Sequence, residues 1–292
     1  MKKQAILITA YKNFDYLCCL TEEFAENFDV YVHIDKKSKE RKEIIKKLQL
    51  MGCYAVSSYS INWGSFNHIR AVIKLMKKSS ANGYSYYHII TGEDIPAKSV
   101  SYFNDFFKDN DKIYIEYVKD SEWETRYKWY YPFYNINPRS RIYYQVLSPF
   151  SLGLQKKLKI NRKRIGEFKE IYKGLFYSSL PHDAVKYTLE YIKKNRNFMY
   201  SLALTFIPEE FFFQTILLNS PLKDRVVNDC LRYSIWEEKN GSYPGYLDDD
   251  DIQPILESNC VFARKVNYNY SSNLIKTFLH LKNTPITEYS RE

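Results

Sequence analysis

Two adjacent carboxylates inside an aromatic run give the strongest chemical signal in this chain: Phe206-Ile207-Pro208-Glu209-Glu210-Phe211-Phe212-Phe213-Gln214-Thr215. Pro208 reads as the first helical residue, because the N–H it lacks would have no intrahelical partner there. Glu209 and Glu210 then fall in the first turn, and Phe211 onward forms a helix with a wide apolar face. Successive helical side chains point about 100° apart, so one carboxylate can face solvent while the other turns inward. An inward carboxylate among aromatic rings is partly desolvated, which raises its pKa and makes it a better proton acceptor. The plainer reading is that acids in a first turn favour the helix macrodipole and do nothing more.

Cations recur where water is scarce. Leu231-Arg232-Tyr233-Ser234-Ile235-Trp236 and Phe262-Ala263-Arg264-Lys265-Val266 each set long charged side chains among apolar neighbours. Such cations are costly to bury without an anion, and a diphosphate would serve. Arg offers it a bidentate fork and Lys a point charge. Metal ligation is the competing way to hold a diphosphate, and the chain has Asp-x-Asp matches. Asp109-Asn110-Asp111 precedes a strand, away from the expected crevice. Asp248-Asp249-Asp250-Asp251 reads as a solvated loop capping a helix from Ile252. No metal site is expected. The histidines at 33, 68, 88, 182 and 280 show no ligand spacing and read as structural.

The elements that must position these residues follow an alternating pattern. Strands are expected at residues 4–10, 29–34, 53–57, 86–91 and 112–118. Helices are expected from the Asn13 cap to about Asn27, then to Leu50, from the Ser65 cap to Met76, and from Pro181 to about Asn195. The succession β-α-β-α-β-α-β makes an α/β fold with an open, mostly parallel sheet flanked by helices. Ligands of such sheets bind beyond the carboxyl ends of the strands. That rule places Ala10-Tyr11, Asp35 and Glu93-Asp94 at one crevice. Residues 120–150, rich in Trp, Tyr and Arg, read as a substrate-facing insertion or a packed lid. No repeat or long linker interrupts the chain. It is read as one domain over residues 1–292, with a nucleotide-binding half to about residue 110 and an acceptor and catalytic half from about 111.

Bulk composition limits the options. The 292 residues are 45% hydrophobic, which excludes a disordered chain. The net charge of +9 favours an anionic partner such as a nucleotide diphosphate, a phospholipid surface or nucleic acid. The segment holding Lys156-Lys157-Leu158-Lys159, Arg162-Lys163-Arg164, Leu152, Leu154 and Ile160 is either a basic amphipathic patch for an anionic membrane or a solvated helix face. The 28 Tyr and 18 Phe offer faces for stacking on sugars or bases, or reflect compositional bias alone. Five cysteines without paired spacing read as reduced thiols. With no Gly-rich phosphate loop among nine glycines, the dinucleotide-binding and P-loop readings are disfavoured. No run is long and apolar enough to span a bilayer. No nucleic-acid reading motif accompanies the positive charge, so nucleic acid is not an expected partner.

The chain resembles the core-2/I-branching N-acetylglucosaminyltransferases, a family that also contains protein xylosyltransferases. The matching segments run from near Ala10 to near Lys265: Val32-His33-Ile34-Asp35, Trp63-Gly64-Ser65, Ile90-Thr91-Gly92-Glu93-Asp94-Ile95-Pro96-Ala97-Lys98, Ile207-Pro208-Glu209-Glu210, Leu231-Arg232-Tyr233-Ser234-Ile235-Trp236 and Phe262-Ala263-Arg264-Lys265. The resemblance implies a GT-A-type glycosyltransferase fold and an inverting, metal-independent transfer from a UDP-sugar to a glycan hydroxyl, with N-acetylglucosamine the first choice of sugar. It implies Glu210 as the base and Arg232 and Lys265 as the cations on the UDP leaving group. The nucleotide side falls on Ala10, Tyr11, Asp35, Trp63 and Ser65, and the acceptor side on Glu116, Arg126 and Asp94. The family segment often carries Asp where Glu209 stands. The disulfides and N-terminal membrane anchor of animal members have no counterpart here. The chain is therefore expected to be a bacterial enzyme of surface-polysaccharide synthesis, cytoplasmic or peripheral at the inner face of the plasma membrane. Its acceptor would be a glycan, free or lipid-linked. The alternative is an inactive nucleotide- or glycan-binding module on the same fold.

Overall fold

The computed structural model describes residues 3–119, 121–133, 136–137, 139 and onward to 279. The elements in chain order are β1 (Ala5–Ala10), α1 (Phe14–Ala25), β2 (Asp29–Ile34), α2 (Arg41–Leu50), β3 (Tyr54–Val56), α3 (Phe66–Ser79), β4 (Tyr86–Thr91), β5 (Asp94–Pro96), α4 (Val100–Phe106), β6 (Ile113–Ile115), α5 (Glu124–Lys128), α6 (Ser148–Lys157), β7 (Ser179–Pro181), α7 (His182–Lys194), α8 (Arg196–Ala203), α9 (Glu209–Leu218), β8 (Val226–Asn228), β9 (Arg232–Ser234), α10 (Ile252–Glu257), β10 (Phe262–Arg264) and α11 (Tyr268–Leu279). Seven strands form the main sheet in the order β3-β2-β1-β4-β7-β6-β8, and β5-β10-β9 form a smaller one. The first four strands of that order run parallel, and β7 is antiparallel to both its neighbours. This is the open, mostly parallel α/β sheet flanked by helices that the sequence predicts.

β1 shows why the sheet sits at the centre. All six of its residues are buried. Ile6, Ile8 and Ala10 enter one apolar cluster with α1, β10 and α11, while Ala5 and Leu7 enter a second with α3, α7 and α9. Strand side chains alternate between faces, so a strand covered by helices on both sides is apolar almost throughout, and its one polar side chain, Thr9, is paired with His68. Helix α9 is the second such element. Phe211, Phe212, Phe213, Ile216 and Leu217 leave no wet face, so the helix is enclosed rather than amphipathic.

Several local expectations change. Asn13 precedes α1 in the left-handed region at φ 55°, and its carbonyl rather than its side chain receives the helix N–H of Leu17. The Ser65 Oγ accepts from Asn62 N–H and so closes the preceding turn instead of capping α3. Pro181 ends β7, and α7 starts one residue later. The acidic run is solvated only in part, with Asp249 and Asp250 exposed. Asp248 and Asp251 each pair with Lys239 at 2.7 Å, and Asp251 is buried. They form a reciprocal cap on a short 3-10 turn that leads into α10. Asn110 serves the fold, receiving the Tyr86 hydroxyl and donating to that of Tyr114.

Candidate active site

The carboxyl ends of β1, β2 and β4 meet at one edge of the sheet. Asp35 N–H donates to the Ala10 carbonyl at 2.8 Å, and Ser38 donates its hydroxyl to the Tyr11 carbonyl. Asp35 is buried and accepts from the Lys37 N–H, with the Lys37 ammonium 3.6 Å away. Its neighbour His33 is fully buried, and Nε2 accepts from the backbone N–H groups of Ser58 and Tyr59, both at 3.1 Å. Burial pushes the imidazole down to about 4, so it stays neutral and can accept both bonds. The two ends thus hold the loop that follows β3, while Tyr11 stands exposed at the mouth.

The smaller sheet brings its cations to the same edge. Val266 N–H donates to the Glu93 carbonyl, which draws the end of β10 to the turn after β4. Lys265 then lies 5.1 Å from the Tyr246 ring centre and 3.2 Å from the Ser242 hydroxyl. Lys12 approaches the same ring from the β1 side. It pairs with Glu93 at 2.8 Å and meets the Tyr246 hydroxyl at 3.3 Å. Hydrogen bonding and the charge of Glu93 outweigh burial and hold the Lys12 ammonium above its ordinary range. Two half-exposed ammonium groups therefore approach one tyrosine ring. Lys12 had no signal beyond its place next to Tyr11.

Arg232 and Asp94 require corrections. Arg232 is buried, and its guanidinium is committed to the Ile89, Ser178 and Cys230 carbonyls and the Ser179 hydroxyl. It also lies over the Phe262 ring, its direct partner across the β9–β10 ladder. Burial lowers its pKa to about 10. Arg232 Nε and the hydroxyl of Ser234, its companion on that face of β9, are buried without a partner. In this structure Arg232 braces the sheets from within and has no fork free for a diphosphate. Asp94, fully buried, receives Thr91 N–H, the Thr91 hydroxyl and Arg264 Nε at 2.9 Å. It anchors Arg264 and offers no surface to an acceptor.

The Pro208 segment makes the opposite wall. Ile207 sits at φ 53°, an unfavourable region for a β-branched residue, and turns the chain sharply into α9. Glu209 points inward and is 8% exposed. Burial, reinforced by the charge of Glu210, pushes its carboxyl up to about 8, against a bond from Gly64 N–H. One of its oxygens has no partner. The Trp63-Gly64-Ser65 turn therefore backs onto the first acid of the pair. Trp63 itself is exposed, with Arg139 stacked 4.2 Å from its ring and Phe206 at its edge. Buried Ser65 faces that turn rather than the cleft.

Glu210 takes the outward direction, with about a quarter of its side chain exposed. Arg126 approaches one oxygen at 2.6 Å and Lys173 the same oxygen at 3.1 Å. Both cations lie over the Trp123 ring, at 4.4 and 4.2 Å. The backbone fixes this arrangement, because Phe206 N–H donates to the Arg126 carbonyl and Gly174 N–H donates to that of Glu210. Gly174 must be glycine, since a Cβ there would lie 1.8 Å from the Glu116 carbonyl oxygen. Glu116 shares the charge field of Lys173, Glu210 and Asp229, and burial raises its pKa. Glu116 and Arg126 are thus gathered beside Glu210, together with Lys173, which sequence reasoning missed.

Tyr177 joins the two walls. Its ring covers the Arg264 guanidinium at 4.2 Å, and its hydroxyl senses Arg264, Asp94, Glu209 and Glu93. Tyr177 therefore lies between the Asp94–Arg264 pair of the smaller sheet and buried Glu209. Among the described residues no group of three or more His, Cys, Asp or Glu side chains is placed to hold a metal ion. His88 and His182 serve internal hydrogen bonds, His68 meets Thr9, and His280 lies outside the described residues. All five cysteines are free. Tyr134 of the aromatic insertion also falls outside the described residues.

Comparison with known proteins agrees with this geometry at the level of family. No curated protein sequence matches significantly. Among solved structures, a 4-diphosphocytidyl-2C-methyl-D-erythritol synthase aligns over 75% of this chain and 99% of its own, at 10% identity and a TM-score of 0.36. The family model of the Core-2/I-Branching enzymes matches residues 7–256, from inside β1 to the end of α10. The paired acids and Lys12 lie within that span and Lys265 lies shortly beyond it, and the chain belongs to the Core-2/I-Branching enzyme family of glycosyltransferases.

Proposed function

We propose that the chain transfers a sugar, N-acetylglucosamine as first choice, from a UDP-sugar to a glycan hydroxyl with inversion, and that Glu210 is the base. The supporting observation is the pair of unlike acids at the start of α9. Glu209 is buried, whereas Glu210 reaches the cleft between Arg126 and Lys173. Inverting transfer is one in-line displacement at the anomeric carbon. The acceptor oxygen forms its bond as the diphosphate oxygen leaves, and a carboxylate must take the acceptor proton. An accessible carboxylate held by two cations over one indole ring meets the positional requirement. Arg126 and Glu116 stand where an acceptor hydroxyl would be oriented.

Negative charge develops on the departing UDP. Lys265, with Lys12 across the Tyr246 ring, supplies fixed positive charge at the nucleotide end, and preorganised charge needs no rearrangement during the reaction. Arg232 contributes from behind by holding β9 to β4 and β7 of the main sheet. Asp35, Ala10 and Tyr11 form the floor for the uridine, with Trp63 and Ser65 in the neighbouring turn. The reaction is proposed to need no divalent metal. Release of UDP from a panel of UDP-sugars, with and without glycan acceptors, tests the reading. Glu210→Gln should slow acceptor-dependent release by about 100-fold or more. An unchanged rate in that variant would remove Glu210 from the mechanism. A chain that binds UDP but turns over no sugar nucleotide would favour the inactive-module reading.

A further inference from the structure

Residues 125–166 contain ten Lys and Arg and no Asp or Glu, more positive charge than the +9 of the whole chain. Within this stretch a helix continuous with α6 carries an apolar stripe exposed to water. Ile142, Val146, Phe150, Leu154 and Leu158 recur at every fourth residue, and all are exposed, from 46 to 71%. Tyr144 beside them is 75% exposed. The reverse of the helix is fastened to the body: Tyr143 is buried, and Gln155 bonds both the N–H and the carbonyl of Tyr130. Arg162 secures the following turn through the Tyr127, Ser201 and Leu204 carbonyls and the Thr205 hydroxyl. Arg162 therefore leaves the expected basic patch and becomes a buried anchor. The stripe faces solvent because the fold holds it there.

We infer that this face seats the protein on an anionic membrane surface. The stripe is too narrow for a core, yet suits a helix lying in the interfacial plane with its apolar side chains in the acyl boundary. Arg141 stands at one end. Lys156, Lys157 and Lys159 stand at the other, with Lys163 and Arg164 beyond, and all six are exposed. Long cationic side chains reach lipid phosphates while their stems cover apolar surface. A second copy of the chain fits less well, since two such faces would bring cations against cations without one carboxylate in the segment. Gln155 and Arg162 bolt this helix to the segment carrying Arg126, so the docked face adjoins the Glu210 end of the cleft.

Co-sedimentation of the full chain with phosphatidylglycerol-containing vesicles, against pure phosphatidylcholine vesicles, tests the inference without reference to sugar transfer. Partition should strongly favour the anionic vesicles and weaken with salt. Lys156→Gln/Lys157→Gln/Lys159→Gln should lower it roughly 100-fold, because each cation near the surface contributes about fivefold. Val146→Ser/Phe150→Ser/Leu154→Ser should lower it at least about 10-fold. UDP binding should be unchanged in both variants, which also verifies folding. Failure of the wild-type chain to bind anionic vesicles would overturn the inference, as would undiminished binding by both variants. A wild-type dimer that the serine variant dissociates, with no vesicle binding, would assign the face to a second copy.

Discussion

At the residue scale, the two glutamates differ in what surrounds them, and this yields distinct expectations. Glu210 meets two cations and the cleft, whereas Glu209 meets Gly64 N–H and the protein interior. Glu209 has a folded pKa of about 8, above the ordinary 4.5, so the folded state holds a proton that the unfolded chain releases. Stability is therefore expected to fall as pH rises from about 4.5 to 8 through this group. Glu209→Gln should flatten that part of the profile, as read by thermal denaturation across pH. An equally steep profile in the variant would place the proton elsewhere. The Pro-Glu-Glu run made the pair visible in the sequence. Which acid turns inward was not visible, because that depends on the Trp63-Gly64-Ser65 turn from a distant segment. Arg232 and Lys265 looked alike as cations in apolar stretches. Their fates differ because Arg232 opens β9 and turns into the main sheet, whereas Lys265 lies just past the end of β10, a boundary the sequence does not mark.

At the scale of elements, β1, β2, β4 and α9 were legible because each is long or strongly patterned for its type. The ends of β1, β2 and β4 bring Tyr11, Asp35 and Glu93 to one edge of the sheet. The wall made by Lys173 and Gly174 was not legible, since residues 166–178 carry no periodic pattern. It exists through a close backbone crossing between Gly174 and Glu116. Gly174→Ala places a methyl within 1.8 Å of the Glu116 carbonyl oxygen and must displace one strand end. The expected cost is about 2 kcal/mol or more, a Tm lower by roughly 5 °C. A variant as stable as the wild type would show that this crossing can relax. Lys173→Ala should leave the fold intact and slow transfer by about 10-fold, because Glu210 loses one of two cations orienting it. An unaltered rate would reduce Lys173 to a surface partner.

At the scale of the whole molecule, the main sheet and the smaller β5-β10-β9 sheet meet where Val266 N–H donates to the Glu93 carbonyl, and Tyr177 lies between Arg264 and Glu209. The alternating β-α order foretold β1 to β4 and β6 of the first sheet, whereas the three-residue strands β7 and β8 were not foreseen. The second was less legible, because it is assembled from three-residue strands far apart in the chain. No helix among the described residues is long and apolar enough to cross a membrane. If side-chain cations suffice for the leaving group, UDP release should persist within about twofold in EDTA, and a strict manganese requirement would contradict that. The division of labour between the two ends of the cleft is tested most directly by calorimetric titration of UDP into three proteins. Wild type and Glu210→Gln should bind UDP with equal affinity, while Lys265→Ala should bind about 10-fold more weakly, a loss of roughly 1.4 kcal/mol. Equal binding by Lys265→Ala, or loss of UDP binding in Glu210→Gln, would contradict the account.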